Sequence, residues 1–130
     1  IKTPQDIVNL LMDELKTEKR EIVKVIILNS HNTILKIQTI SQGGTNSVQV
    51  DTKDILMEAV KMGAPKIIMV HNHPSGETNP SKADIEFTEK LAKATEVFGI
   101  QLLDHIIIGY NEYTSIKSYL LEKEMKGRKL

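Results

Sequence analysis

Cysteine is absent from the 130-residue chain, so a disulfide framework, a Cys-based zinc finger and a thiol nucleophile are all excluded. That absence fits a reducing compartment, and a cytoplasmic setting is expected. Net charge is also missing: seventeen Lys+Arg stand against seventeen Asp+Glu, which leaves no global field to gather phosphates or anionic lipid. Arginine is scarce, with only Arg20 and Arg128, so few planar forks exist to read guanine edges or clamp phosphates. These two features argue against DNA binding by this chain. No apolar run approaches eighteen residues and no basic-then-apolar leader opens the sequence, so neither a membrane span nor a signal peptide is expected. The first residue is Ile1, and a chain trimmed from a longer one is expected.

The residues present are those of an ordinary soluble domain: 40% are hydrophobic and 26% charged. At this length about two-thirds of the unfolded surface is buried on folding, enough for a single core. Thr3-Pro4-Gln5-Asp6 reads as a helix start, followed by an apolar stripe at Ile7, Leu10, Leu11 and Leu15. Residues 21–28 and 34–40 alternate as strands around the turn-rich Asn29-Ser30-His31-Asn32, which predicts a hairpin with His31 facing solvent. The strand pattern resumes at 47–50, Asp51 caps a second helix, and Gly63 and Pro65 stop it. Residues 66–70 form a continuous apolar run, expected to be a strand buried on both faces. Next come a loop over 71–80 and a helix over 81–98 with Phe87, Leu91, Ala94 and Phe98 inward and Gly99 as its stop. A strand over 102–108 and a hairpin arm over 110–116 complete the core. The division expected is an N-terminal helix and connector at 1–20, the main domain at 21–121 and a loosely held charged tail at 122–130.

The chemistry gathers at the end of the buried strand. His71 and His73 are two apart, so on a strand they point to the same side with Cα atoms about 6.5 to 7 Å apart and can meet one cation. Asp84 follows Ser81 at capping-box spacing, and a returning loop can bring its carboxylate back to the strand end. Two histidines, one aspartate and an open position are the ligand set of a catalytic zinc, whose bound water has a pKa near about 7. Such a water needs a proton acceptor. Glu21 shares side-chain parity with Val23, Val25 and Ile27, whereas Lys24 marks the other face, so Glu21 lies at the rim of a buried face as a candidate general base.

Glu21 upstream, then His71-x-His73-Pro74, seven residues to Ser81 and two more to Asp84, resembles the JAMM motif of the MPN-domain metalloprotease superfamily. The run His71-Asn72-His73-Pro74-Ser75-Gly76, with Pro80-Ser81 and Leu103-Asp104-His105-Ile106-Ile107-Ile108-Gly109, is similar to the bacterial RadC family from about Glu21 to about Leu121. The resemblance implies an α/β fold with a mixed sheet between helices, akin to the cytidine-deaminase architecture. It implies zinc on His71, His73 and Asp84, acid/base work by Glu21 and an oxyanion-supporting hydroxyl on Ser81. The function implied is zinc-dependent hydrolysis of peptide or isopeptide bonds in a peptide or protein substrate. RadC-like proteins also carry an N-terminal helix-hairpin-helix-like segment, and this chain is expected to begin after it.

Each of these residues has a plainer reading. Asp84 is also a helix-start carboxylate answering the dipole, a role compatible with ligation. Ser81 is also a cap, and Glu18, about one helical turn upstream, competes with Glu21 as the base. Asp104-His105 is open to three readings: support behind the ligands, a substitute ligand or a core pair; a structural role or support behind the ligands is favoured. The consecutive letters His-Asn-His do not form the nuclease motif of that name, which spreads those residues over a ββα unit. A deaminase needs a Pro-Cys-x-x-Cys pair that a chain without cysteine lacks. The rival function is a non-catalytic module, a DNA-repair accessory or protein-interaction domain that keeps a metal site.

Overall fold

The computed structural model describes residues 1–42 and 50–128. The expected hairpin forms from β1 (Ile22–Leu28) and β2 (Ile34–Gln42), paired antiparallel with Ile26 opposite Ile37. Its turn is built by Asn29, whose side-chain oxygen accepts the His31 and Thr33 amides, and by Asn32 in the left-handed region at φ 62°. His31 is exposed there, as expected. The apolar run becomes β3 (Lys66–Asn72), the middle strand of a mixed five-stranded sheet in the order β2-β1-β3-β4-β5. It pairs antiparallel with β1 and parallel with β4 (Gln101–Ile108); β5 (Tyr113–Ser115) closes the far edge antiparallel to β4. A parallel pair needs a long crossover, and α3 (Lys82–Val97) supplies it.

Side-chain alternation sorts the strands into two cores. Ile22, Ile26 and Leu28 of β1, Ile68 and Val70 of β3 and Ile106 and Ile108 of β4 pack under Ile7, Val8, Leu11 and Leu15 of α1 (Pro4–Leu15). The opposite parity, Val23, Val25, Ile27, Ile67 and Met69, packs with Ile55, Leu56 and Ala59 of α2 (Thr52–Met62) and Leu91 of α3. β3 is therefore covered on both faces, as its unbroken apolar run requires. The N-terminal helix is a full member of the first core. Lys24 does lie on the face opposite Glu21, but that face is covered too: its ammonium reaches Glu14 at 3.0 Å and the Thr39 hydroxyl at 2.9 Å.

Three local expectations need correcting. On α3, Leu91 is buried and Phe87 and Ala94 pack partly buried against the second core as expected, beside the buried Asp84, Thr88 and Thr95, but Phe98 lies past the last helical residue, ahead of Gly99 at φ 68°, and is 60% exposed. The arm over 110–116 contracts to β5, because α4 (Ile116–Arg128) starts there: the Lys117 amide donates to the Asp104 carboxylate and the Ser118 amide to the Ser115 hydroxyl. Residues 122–128, expected as a loosely held charged tail, continue that helix. Of the strand expected over 47–50, residues 47–49 lie outside those described, while Val50 is partly buried against the second core.

Candidate metal centre

The second face of the sheet turns polar at one end. His71 continues the parity of Ile67 and Met69 and is fully buried facing α3. Its Nε2 lies 3.3 Å from Asp84 Oδ1 and 3.8 Å from Glu21 Oε1, without hydrogen-bond geometry to either. His73 stands one residue past β3, but its amide still donates to the Ile108 carbonyl at 2.9 Å, so the sheet ladder carries it. His73 Nδ1 lies 3.0 Å from the Glu77 carbonyl, which can only accept, so Nδ1 bears the proton and Nε2 is turned toward Asp84 Oδ2 at 3.1 Å.

Asp84 arrives from the first turn of α3. Its amide donates to the Ser81 hydroxyl at 3.0 Å, and its Oδ2 accepts the Ser81 amide at 2.9 Å. Capping and membership of the cluster therefore coexist, as the sequence allowed. The loop from His73 to Ser81 is held against the end of β4, where the Tyr110 amide donates to the Gly76 carbonyl. A Cβ at Gly109 would stand 2.1 Å from that carbonyl oxygen, so only glycine permits the approach.

Glu21 sits immediately before β1 and is held by Asn72, a residue the sequence reading passed over. Asn72 Oδ1 accepts the Ile22 amide at 2.6 Å and its Nδ2 donates to the Arg20 carbonyl at 2.9 Å, so one side chain brackets Glu21 from both sides. Of the two competing glutamates, Glu21 brings its carboxylate to the cluster, whereas Glu18 meets Asn72 Nδ2 with its backbone carbonyl. His105 is buried behind His71, its Nε2 2.6 Å from His71 Nδ1, and its Nδ1 is 2.6 Å from the hydroxyl of Thr88, also overlooked. The spacing from Asp84 to Thr88, one helical turn on the same face, is the signal that could have found the threonine.

Burial raises the Glu21 carboxyl above its ordinary value, and the neighbouring imidazoles offset only part of that rise. Burial also opposes ionisation of Asp84, but the facing His73 imidazole and the Ser81 amide outweigh it and hold that carboxyl well below the usual range. Asp84 in turn raises the His73 imidazole, while burial holds His105 well below an ordinary histidine.

One ligand atom from each of His71, His73 and Asp84 falls within 4.8 Å of the others, so this group could hold a metal ion. The donor set fits one. A fully buried imidazole nitrogen without a partner is costly unless something binds it, and His71 Nε2 is the one such buried side-chain atom among the described residues. A carboxylate and two imidazole nitrogens around it suit zinc.

Comparison with known proteins agrees with the motif and widens it. The RadC-like JAB domain family matches residues 1–122, so α1 is included. A UPF0758 protein of Clostridium botulinum (strain Loch Maree / Type A3) is 46% identical over 117 residues, 90% of this chain and 51% of that protein. Another, from Carboxydothermus hydrogenoformans, is 46% identical over 115 residues, 88% of this chain and 51% of its own length. The chain thus spans about half the length of these curated relatives, and it belongs to the RadC-like JAB domain family.

Proposed function

We propose that this RadC-like JAB domain is a zinc-dependent hydrolase of amide bonds, peptide or isopeptide, acting on a peptide or protein in the cytoplasm. The observation that carries the reading is the unpartnered His71 Nε2, buried between the carboxylates of Asp84 and Glu21. The superfamily includes metalloproteases, which supports the same chemistry. Zinc held by His71, His73 and Asp84 would supply a Lewis acid that polarises a carbonyl and acidifies a water.

The chain's own residues do the rest. Glu21, raised by burial and fixed by Asn72, accepts a proton from the attacking water and returns it to the departing amine. Ser81 uses its hydroxyl oxygen to accept the Asp84 amide, which leaves its O–H to donate to carbonyl oxygen as negative charge develops. Asp84 stays ionised, because the His73 imidazole and the Ser81 amide hold its carboxyl low.

The test is Glu21→Gln, scored for both zinc content and turnover on a peptide library. Bound zinc retained with turnover lost by about 100-fold or more supports the base assignment. Full activity in the variant on a substrate that wild type cleaves removes Glu21 from the mechanism. A zinc-loaded wild type that cleaves nothing but binds DNA tightly, with affinity falling steeply as salt rises, favours the accessory module instead.

A further inference from the structure

His105 and Thr88 lie behind the ligands, and the hydrogen-bond directions between them can be worked out from one fixed point. The Asp84 backbone carbonyl can only accept, so Thr88 donates its single hydroxyl proton to it, at 2.7 Å. Having spent that proton, the Thr88 oxygen must accept from His105 Nδ1, 2.6 Å away. A neutral His105 then carries its proton on Nδ1 and presents a lone pair at Nε2. Opposite that lone pair, at 2.6 Å, is His71 Nδ1, which must therefore carry the proton of its own ring. The remaining nitrogen, His71 Nε2, is left with a lone pair aimed at Asp84 and Glu21.

From this chain we infer that Thr88 and His105 are positioning residues that lock His71 in the Nδ1–H tautomer and so keep its Nε2 ready to bind a cation. The chain begins and ends on one residue. Asp84 contributes its carboxylate to the cluster and its backbone carbonyl to the far end of the relay, so the first turn of α3 sets both a ligand and the protonation pattern of the next. The alternative tautomer of His71 would put a proton where a metal must sit. Reaching it requires Thr88 to turn its one proton from the Asp84 carbonyl to His105 Nδ1 and so give up the bond to that carbonyl. The consequence for metal affinity rests on the proposed metal site, whereas the tautomer itself does not.

Thr88 provides the discriminating variant, because its described hydrogen bonds go to Asp84 and His105 and not to His71. Thr88→Val keeps the shape and removes the hydroxyl; Thr88→Ser restores it. The first readout is long-range proton–nitrogen correlation spectroscopy on metal-free, 15N-histidine-labelled protein at about pH 8.5, above the ordinary histidine range. The expected result is His71 wholly Nδ1–H in wild type and in Thr88→Ser, and a mixture of tautomers in Thr88→Val. The second is zinc affinity by chelator competition, expected to fall about 10- to 100-fold in Thr88→Val and to recover in Thr88→Ser. Unchanged circular dichroism guards against a folding defect. An Nδ1–H His71 that persists in Thr88→Val overturns the inference, whatever the metal does. If wild type binds no zinc while the tautomer shifts as expected, the relay stands and the metal reading fails.

Discussion

Two aspartates, Asp104 and Asp84, are buried equally, each 7% exposed, yet they sit in opposite kinds of surroundings. Asp104 is satisfied by its own neighbourhood: it accepts the His105 amide, the Ser115 hydroxyl and the Lys117 amide, and so ties β4 to β5 and to the start of α4. Asp84 receives only its cap from the backbone; its other neighbours are two imidazoles and the Glu21 carboxylate, with one imidazole nitrogen left over. The contrast separates a carboxylate that completes a fold from one that waits for something. It extends to the two faces of the sheet. The face under α1 is an apolar core whose one buried ammonium, Lys24, is paired, whereas the face under α3 is apolar along its middle and polar at the end where β3 delivers His71.

Damage to the face under α1 should leave the other face intact. Leu15→Ala removes a side chain that is 1% exposed in the first core, and a loss of about 2 to 5 kcal/mol of stability is expected. Zinc affinity should be unchanged in protein that remains folded, as chemical denaturation and chelator competition would show. A fall in affinity matching the loss of stability would mean that the two faces are not independent.

Acidity tests the face under α3 with a smaller effect. His73 has a raised folded pKa, so its contribution to metal-free stability is complete below the ordinary histidine value and is lost as pH rises through the raised one. Asp84 has a lowered folded pKa, so its contribution holds above the ordinary aspartate value and is lost as pH falls through the lowered one. Metal-free protein should therefore be most stable between those two ordinary values. Zinc binding must displace the His73 proton, so affinity should climb up to about tenfold per pH unit, or about 1.4 kcal/mol, until pH passes the raised value and then level off. Over the window in which His73 deprotonates, metal-free stability falls and affinity rises. Slopes of the same sign would show that His73 is not a ligand.

The smallest effect belongs to the pair bridging α1 and β1. Glu14→Gln removes the partner of Lys24, but Glu14 is half exposed and the ammonium keeps Thr39, so a change of at most about 1 kcal/mol in thermal or chemical denaturation is expected. A larger loss would make that face depend on charge as the other does.

Most of this architecture was readable because its signals are local. Alternation in β1, the unbroken run of β3 and the caps at Thr3, Asp51 and Ser81 each mark one element. The triplet of His71, His73 and Asp84 was readable from spacing. What escaped lies where polarity interrupts periodicity. Thr88 and Thr95 take inward positions on α3 that an apolar search assigns elsewhere, which is why Phe98 was drawn into the stripe. Asn72 acts through contacts between residues far apart in sequence, such as that with Arg20, and no local pattern reveals those, whereas the supporting place favoured for His105 is the one it takes behind His71. The charged end of α4 hid a helix because mixed charge without an apolar stripe reads equally as a solvated tail.

Whether the face under α3 is a metal centre is read from zinc content by plasma mass spectrometry after incubation and desalting. Wild type and His71→Ala/His73→Ala should be compared as folded proteins. Near-stoichiometric zinc in wild type and none in the double variant is the expected result. No zinc in folded wild type, or equal zinc in both, would contradict it.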